Sequence, residues 1–134
     1  MFEFLRRSPK PKPASSKTVL VIDDEPTTLK IVTDSLSKAG YDVLAASSGE
    51  EGLKLAQDRN PDVIITDVLM PKMDGFMLFK ELKRGEETKD KSVLVLSARQ
   101  NVGDTFRRFG ADSFLTKPVD PQKLIAEIEK LTTK

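Results

Sequence analysis

The chain has 134 residues, which is enough for one domain with a single core. Its 22 basic and 21 acidic residues give a net charge of +1, and it contains no Cys, no Trp and no His. These absences exclude disulfides, thiolate and imidazole metal sites and catalysis by Cys or His, so any chemistry must come from carboxylates, Lys, hydroxyls and the backbone.

The first 17 residues differ in composition from the rest. They hold five of the basic residues and one of the acidic residues, which gives a net charge of +4 there and −3 over the remainder. Prolines at positions 9, 11 and 13 favour an extended, solvated chain. We expect residues 1–16 to form a basic, disordered tail. The alternative is that the stretch from Phe2 to Arg7 is an amphipathic anchor that recruits the protein to a membrane or a polar complex.

The same composition gives expectations about the cellular location of the protein and about whether it binds nucleic acid. No apolar stretch approaches the roughly 20 residues that a membrane helix needs, and the N-terminus lacks the apolar run of a signal peptide. We therefore expect a cytoplasmic protein without a transmembrane segment. The mildly acidic remainder argues against direct binding to nucleic acid.

Apolar runs and helical periodicities alternate after the tail. Runs without polar alternation predict strands covered on both faces, and apolar residues at intervals of three or four predict helices. In chain order, the sequence predicts a strand at 18–22, a helix between Pro26 and Gly40, a weaker strand at 42–46, a helix capped by Ser48, a strand at 62–66, a helix around Phe79, a strand at 92–96, a helix closed by Gly110, a weaker strand at 113–116 and a helix after Pro121.

These strand–helix units define the expected fold. Strand–helix–strand alternation implies parallel strands joined by right-handed crossovers. We expect an α/β protein with a doubly wound five-stranded parallel sheet in the order 2-1-3-4-5, flanked by five helices, of the flavodoxin-like type. The fifth helix reaches the end of the sequence, and we expect no output domain after it.

Polar residues follow four of the predicted strands. In an open parallel sheet the carboxyl ends of the strands share one edge, and ligands bind there. Each such residue alone is typical of a turn or a helix cap, but their joint placement favours a functional site. They are Asp23 and Asp24 after the first strand, Asp67 after the third, Ser97 after the fourth, and Lys117 and Pro118 after the fifth.

The three aspartates are expected to converge, because strands 1 and 3 should be neighbours. Nearby carboxylates repel one another unless a cation joins them, and oxygen ligands without His or Cys select a hard divalent ion such as Mg²⁺. Lys117 and the helix N-termini at the same edge add positive charge that favours a phosphate. The residues therefore predict a Mg²⁺-dependent phosphoryl site with one carboxylate as the nucleophile.

The order and spacing of these motifs resemble the response-regulator receiver domain, the phosphorylation module of bacterial two-component signalling. The resemblance covers about residues 17–134, and we expect this range to be the receiver domain. It depends on four segments: Val21-Ile22-Asp23-Asp24-Glu25, Asp62 to Gly75, Leu96-Ser97-Ala98 and Gly110 to Pro118.

The resemblance implies roles for the acidic cluster. Asp67 is the phosphoacceptor, which takes a phosphoryl group from a phosphohistidine on a sensor histidine kinase or a histidine phosphotransfer protein. Asp24, Asp67 and the backbone carbonyl of Leu69 bind Mg²⁺ or Mn²⁺ directly, and Asp23 binds it through water. Such a domain is not an enzyme, because it takes part only in its own phosphorylation and dephosphorylation. Since this sequence has no His, the donor histidine must belong to another molecule.

The resemblance also implies a switch. Lys117 pairs with the phosphoryl group, and the Lys117–Pro118 bond is expected to be cis. Ser97 is the hydroxyl that moves onto the phosphoryl oxygen, and Phe114 is the aromatic switch that fills the vacated space, with ordinary packing as its alternative role. These movements bias the face of helix 4, strand 5 and helix 5 toward a downstream protein target, with a phosphorylation-dependent dimer left open.

Two positions depart from the best-known receivers. The residue two positions after the acceptor is Leu69, where some receivers have an amide, and the residue two positions after Ser97 is Arg99, where some have an acid. These positions help to orient the water that hydrolyses the phosphoaspartate, and Leu69 cannot hydrogen-bond that water. We therefore expect slow self-dephosphorylation unless a phosphatase intervenes.

Other functions stay open at this point. One is a degenerate receiver that binds partners without phosphorylation, which the presence of all the site residues disfavours. Another is an intermediate in a phosphorelay. A phosphotransfer enzyme of the haloacid-dehalogenase type needs a second Asp two positions after the nucleophile, where this sequence has Leu69. A dinucleotide-binding domain is not supported, because no Gly-rich loop follows the first strand.

Overall fold

The computed structural model describes residues 17–67, 75–98, 103–108 and 110–133. The predicted tail at 1–16 and the positions Leu69 and Arg99 lie outside the described residues. No helix in the described ranges is long and apolar enough to span a bilayer. The elements are β1 (Thr18–Ile22), α1 (Pro26–Lys38), β2 (Asp42–Ala46), α2 (Gly49–Arg59), β3 (Val63–Asp67), α3 (Gly75–Arg84), β4 (Ser92–Ser97), α4 (Gly103–Arg108), β5 (Ser113–Thr116) and α5 (Pro121–Thr132).

The strands form one parallel sheet in the order β2-β1-β3-β4-β5, which confirms the predicted doubly wound topology. The sheet extends slightly further than predicted at its carboxyl edge. Asp67 pairs with Leu96, and Ser97 pairs with Thr116, so β3 and β4 each include the polar residue that was expected to follow the strand. Backbone pairing continues through these residues because the ladder hydrogen bonds do not depend on the side chain.

The hydrophobic core lies on both faces of the sheet, because successive side chains of a strand point to opposite sides. One cluster includes Ile22 from β1 and Phe79 from α3. The other includes Val21 from β1, Leu36 from α1 and Ile128 from α5. The strands that carry the polar edge are thus held on both sides by packed helices, which gives the edge a rigid base.

The helix ends follow the capping residues that the sequence predicted. Pro26 occupies the first turn of α1, and the Ser48 hydroxyl accepts a hydrogen bond of 3.1 Å from the Glu51 backbone N–H at the start of α2. Gly40 and Gly110 follow α1 and α4 with φ of +99° and +107°, a conformation that glycine adopts without steric strain. These caps fix where each helix begins or ends beside the sheet.

Two aspartates tie neighbouring strands together at the opposite edge of the sheet. The Asp62 carboxylate accepts a hydrogen bond of 2.8 Å from the Thr18 N–H, and the Asp62 N–H donates to the Thr18 carbonyl at 2.8 Å. Asp112 makes the same reciprocal pair with Val93, at 2.9 Å in both directions. Each aspartate thereby satisfies the backbone N–H and the backbone carbonyl of one residue near the beginning of a strand, Thr18 in β1 or Val93 in β4.

We expect Asp62→Ala to lower the free energy of unfolding by about 1–2 kcal/mol, because it leaves the Thr18 N–H of a buried residue without its acceptor. Urea unfolding would measure the change. Asp58→Ala is the matched control, since the Asp58 carboxylate is exposed on α2 and pairs only at the surface with Lys54. Equal stabilities of the two variants would contradict the proposed role of Asp62.

Candidate functional site

Three carboxylates meet at the carboxyl edge of the sheet. One oxygen each from Asp23, Asp24 and Asp67 lies within 4.8 Å of the others. Asp23 and Asp67 are buried at the ends of the neighbouring strands β1 and β3, whereas Asp24 is exposed. The structure therefore brings together the three aspartates that the sequence placed at this edge.

Asp23 is the most buried member of the cluster, with no exposed surface. Its backbone N–H donates to the Ala46 carbonyl at 3.0 Å, so pairing with β2 continues past the end of β1. Its Oδ1 accepts a hydrogen bond of 2.9 Å from the Glu25 N–H, which fixes the carboxylate plane. Burial raises the pKa of Asp23, and the hydrogen bond from the Glu25 N–H and the positive charge of Lys117 offset this only in part.

Lys117 supplies the positive charge at the cluster. Its Nζ lies 2.9 Å from Asp67 Oδ2 and 2.9 Å from Asp23 Oδ2. The Lys117 backbone N–H donates to the Ser97 carbonyl at 2.8 Å, and the Lys117–Pro118 bond is cis. Burial alone would lower the pKa of Lys117, but the contacts with Asp23 and Asp67 raise it above its ordinary value, so the side chain is a permanent cation.

The donor set fits a hard divalent cation. Asp23 Oδ2 is buried, and although it lies beside the Lys117 ammonium, it accepts no aligned hydrogen bond within the described ranges. A buried carboxylate oxygen of this kind is costly unless it is compensated, and a metal ion or its bound water would compensate it. Oxygen-only ligation is the chemistry of Mg²⁺ and Mn²⁺.

Ser97 lies on β4, which pairs with β3, and Phe114 lies on β5, the next strand of the sheet. Ser97 is fully buried at the end of β4 and is next in sequence to the register partner of Asp67. Phe114 is half-buried on β5, where it packs against the cluster of Ile22 and Phe79. It also lines a shallow cavity of about 200 Å³ whose wall includes Pro118. Ser97 thus lies beside the acidic edge, and Phe114 lies one strand further from it.

One residue of the site was not assigned a role from the sequence. Glu25 directly follows the two aspartates, and its carboxylate Oε1 lies 3.4 Å from Lys117 Nζ. The Thr28 hydroxyl donates to the same oxygen. These contacts with Thr28 and Lys117 lower the pKa of Glu25. The sequence showed that Glu25 follows Asp24 in the motif, but the motif alone did not indicate that Glu25 contacts Lys117.

The sheet order and the acidic edge with its lysine define a signalling receiver rather than a dinucleotide-binding domain. Residues 19–129 match the family of the response regulator receiver domain. The chain therefore belongs to the response regulator receiver domain family of two-component signalling.

The chain resembles some known proteins over about half of their length and others over nearly their whole length. It is 41% identical over 115 residues to the DNA-binding dual master transcriptional regulator RpaA of Synechocystis, where the match covers 84% of this chain and 48% of RpaA. It is 36% identical to the protein PilH of Pseudomonas aeruginosa, where the match covers 82% of this chain and 93% of PilH. The chain thus spans about half the length of relatives such as RpaA and nearly the whole length of PilH.

Solved structures show the same fold. The response regulator protein TrrA of Thermotoga maritima, whose structure is in complex with Mg²⁺–BeF, is 30% identical and superposes with a TM-score of 0.78. The superposition covers 86% of this chain and 98% of TrrA. The match extends over almost the whole receiver, including the strands that carry the acidic edge.

Proposed function

We propose that the chain accepts a phosphoryl group on Asp67 from a phosphohistidine of a sensor histidine kinase or a histidine phosphotransfer protein. The observation that carries this proposal is the position of Asp67, whose carboxylate lies within the acidic cluster and 2.9 Å from the Lys117 ammonium. Membership of the receiver family supports it. In this reading the receiver comprises residues 17–134, and residues 1–16 are a tail.

The proposed transfer requires little covalent chemistry from the protein. A carboxylate oxygen of Asp67 attacks phosphorus, a P–O bond forms, and the P–N bond breaks with its electron pair returning to the donor imidazole. Lys117 holds positive charge beside the phosphoryl oxygens, and the Ser97 hydroxyl donates a hydrogen bond to one of them. Asp24, Asp67 and the Leu69 carbonyl would hold Mg²⁺ directly and Asp23 would hold it through water. The ion would supply Lewis-acid neutralisation of the phosphoryl charge.

We propose that the output is a protein contact. The shift of Ser97 toward the phosphoryl group and of Phe114 into the vacated space would change the face formed by α4, β5 and α5. This face would then bind a downstream protein or a second copy of the chain. PilH, of which the match covers 93%, is a relative of about the length of this chain, whereas the match covers 48% of RpaA.

Intact mass spectrometry tests the proposal. The full chain is incubated with Mg²⁺ and acetyl phosphate, a small phosphodonor that replaces the unknown histidine protein. We expect one phosphoryl adduct, which does not form when a chelator has removed the Mg²⁺ before the phosphodonor is added. The absence of an adduct, under conditions that modify an ordinary receiver domain in parallel, would overturn the proposal in favour of a phosphorylation-independent binding module.

Leu69 provides a prediction about the lifetime of the signal. We expect Leu69→Asn to shorten the lifetime of the phosphoaspartate on the order of tenfold, because one hydrogen bond to the attacking water is worth about 1.4 kcal/mol of barrier. The decay of the adduct after removal of the phosphodonor would measure it. Met77→Asn is the control, since Met77 is an exposed apolar residue on α3. An unchanged lifetime in Leu69→Asn would contradict the assignment.

A further inference from the structure

We propose that Glu25 is a positioning residue for Lys117, and that its carboxylate takes the Lys117 ammonium when a divalent cation occupies the aspartate cluster. The inference rests on the proposed metal site and adds a residue to it. Three carboxylates contact Lys117 Nζ: Asp23 and Asp67 at 2.9 Å, and Glu25 at 3.4 Å. The first two also belong to the cluster, whereas Glu25 does not.

The ammonium and a divalent ion would compete for the same oxygens. Lys117 Nζ contacts Oδ2 of both Asp23 and Asp67, and the carboxylates of these two residues also define the cation cluster. Two cations repel each other at such distances, so metal binding is favoured when Lys117 can withdraw. Glu25 is the one carboxylate contact of Lys117, among those that the structure describes, that a metal in the cluster would leave free.

The Glu25 side chain is prepared for this role. The Thr28 hydroxyl, one turn into α1, donates to Oε1, the same oxygen that faces Lys117. The Glu25 backbone is fixed as well, because its N–H donates to Asp23 Oδ1 at 2.9 Å. A carboxylate held at both ends needs less ordering to pair with an incoming ammonium than a free surface glutamate does. The Lys117 side chain is 14% exposed, and its Nζ already lies 3.4 Å from Glu25 Oε1.

Loss of this contact is expected to weaken the binding of Mg²⁺. Without the Glu25 charge, no described carboxylate outside the cluster forms an ion pair with Lys117, which continues to compete for Asp23 and Asp67. We expect Glu25→Gln to raise the Mg²⁺ dissociation constant by roughly twofold to fivefold, the range expected from loss of one exposed ion pair. We expect Thr28→Val, which keeps every charge and releases only the Glu25 side chain, to raise it by a smaller factor.

Isothermal titration of the full chain with MgCl₂ alone tests the inference. The variants are Glu25→Gln, Thr28→Val, Lys117→Met and the double variant Glu25→Gln with Lys117→Met, and circular dichroism checks that each is folded. If Glu25 acts through Lys117, its substitution has no effect in the Lys117→Met background. The magnesium-induced rise in melting temperature gives a second measure of the same affinities.

The possible outcomes distinguish a failure of the proposed role of Glu25 from a failure of the proposed metal site. Normal binding by the wild type with an unchanged constant in Glu25→Gln would overturn the role of Glu25 alone. An equal loss of Mg²⁺ affinity on Glu25→Gln in the Lys117→Met background would also overturn the proposed role of Glu25. Glu25 would then act on the metal as a distant charge and not through Lys117. A wild type that binds no Mg²⁺ would overturn the proposed metal site and this inference with it.

Discussion

Asp67→Asn is expected to abolish phosphorylation of the chain by acetyl phosphate. The amide is not a nucleophile for phosphorus, and it removes one of the three carboxylates of the cluster. The variant should nevertheless fold, because Asp67 pairs with Leu96 through its backbone and the amide fits the same space. The measurement is the intact mass of the protein after incubation with Mg²⁺ and the phosphodonor, and we expect no adduct.

Two matched variants make the result specific. Asp62→Asn changes a carboxylate just before the start of β3, at the opposite edge of the sheet, and we expect it to be phosphorylated as the wild type is. Asp24→Asn keeps the nucleophile but loses an exposed carboxylate of the cluster. We expect it to be phosphorylated on the order of tenfold more slowly, since the charge neutralisation of the transferring group is weakened. An adduct that persists in Asp67→Asn would show that another residue is the acceptor.

The fold was predictable because local patterns in the sequence indicate the strands and helices from which a parallel sheet is built. Continuous apolar runs such as 19–22 and 63–65 are fully buried, as strands covered on both faces must be. Helix boundaries followed from side chains that act locally, such as Ser48 at the start of α2. The ends of β3 and β4 were placed one residue short, because polarity of the side chain is a poor guide to where backbone pairing stops.

The candidate site was predictable to the extent that topology places it. Strand order alone brings Asp23 and Asp67 to one edge, and the structure shows their carboxylates together with that of Asp24. The contact between Glu25 and Lys117 was not predictable, because the residues are 92 positions apart and the direction of a side chain at a helix N-cap depends on the loop that carries it. The reciprocal bonds of Asp62 and Asp112 were missed for the same reason.

Asp23→Asn is expected to be more stable than the wild type when no divalent cation is present. The Asp23 side chain is fully buried next to two further carboxylates, and its pKa is raised by that burial. A raised carboxyl pKa means that the folded state disfavours the charged form relative to the unfolded chain, so removing the charge stabilises the fold at neutral pH. We expect a higher free energy of unfolding for Asp23→Asn than for the wild type, measured by urea unfolding with a chelator present.

The pH dependence gives the same prediction a second test. The gain should be complete above the raised pKa of Asp23 and should vanish as the pH falls below the ordinary carboxyl value of 3.8, where Asp23 of the wild type is also neutral. Asp24→Asn is the control, because its carboxylate is exposed, and we expect it to gain little stability. A lower stability of Asp23→Asn than of the wild type at neutral pH would contradict our inference that the buried charge destabilises the metal-free fold.

Magnesium should reverse the order of stabilities. A ligand that binds only the folded state stabilises it by about 2.7 kcal/mol at a hundredfold excess over its dissociation constant, so the wild type should gain about this much at such a concentration. Asp23→Asn has one negative charge fewer at the cluster and should gain much less. The wild type would then be the more stable protein with Mg²⁺ and the less stable one without it. An equal gain in both proteins would show that Asp23 takes no part in holding the metal. The crossover would instead show that the buried charge of Asp23 destabilises the metal-free fold and serves to bind the cation that the proposed phosphorylation requires.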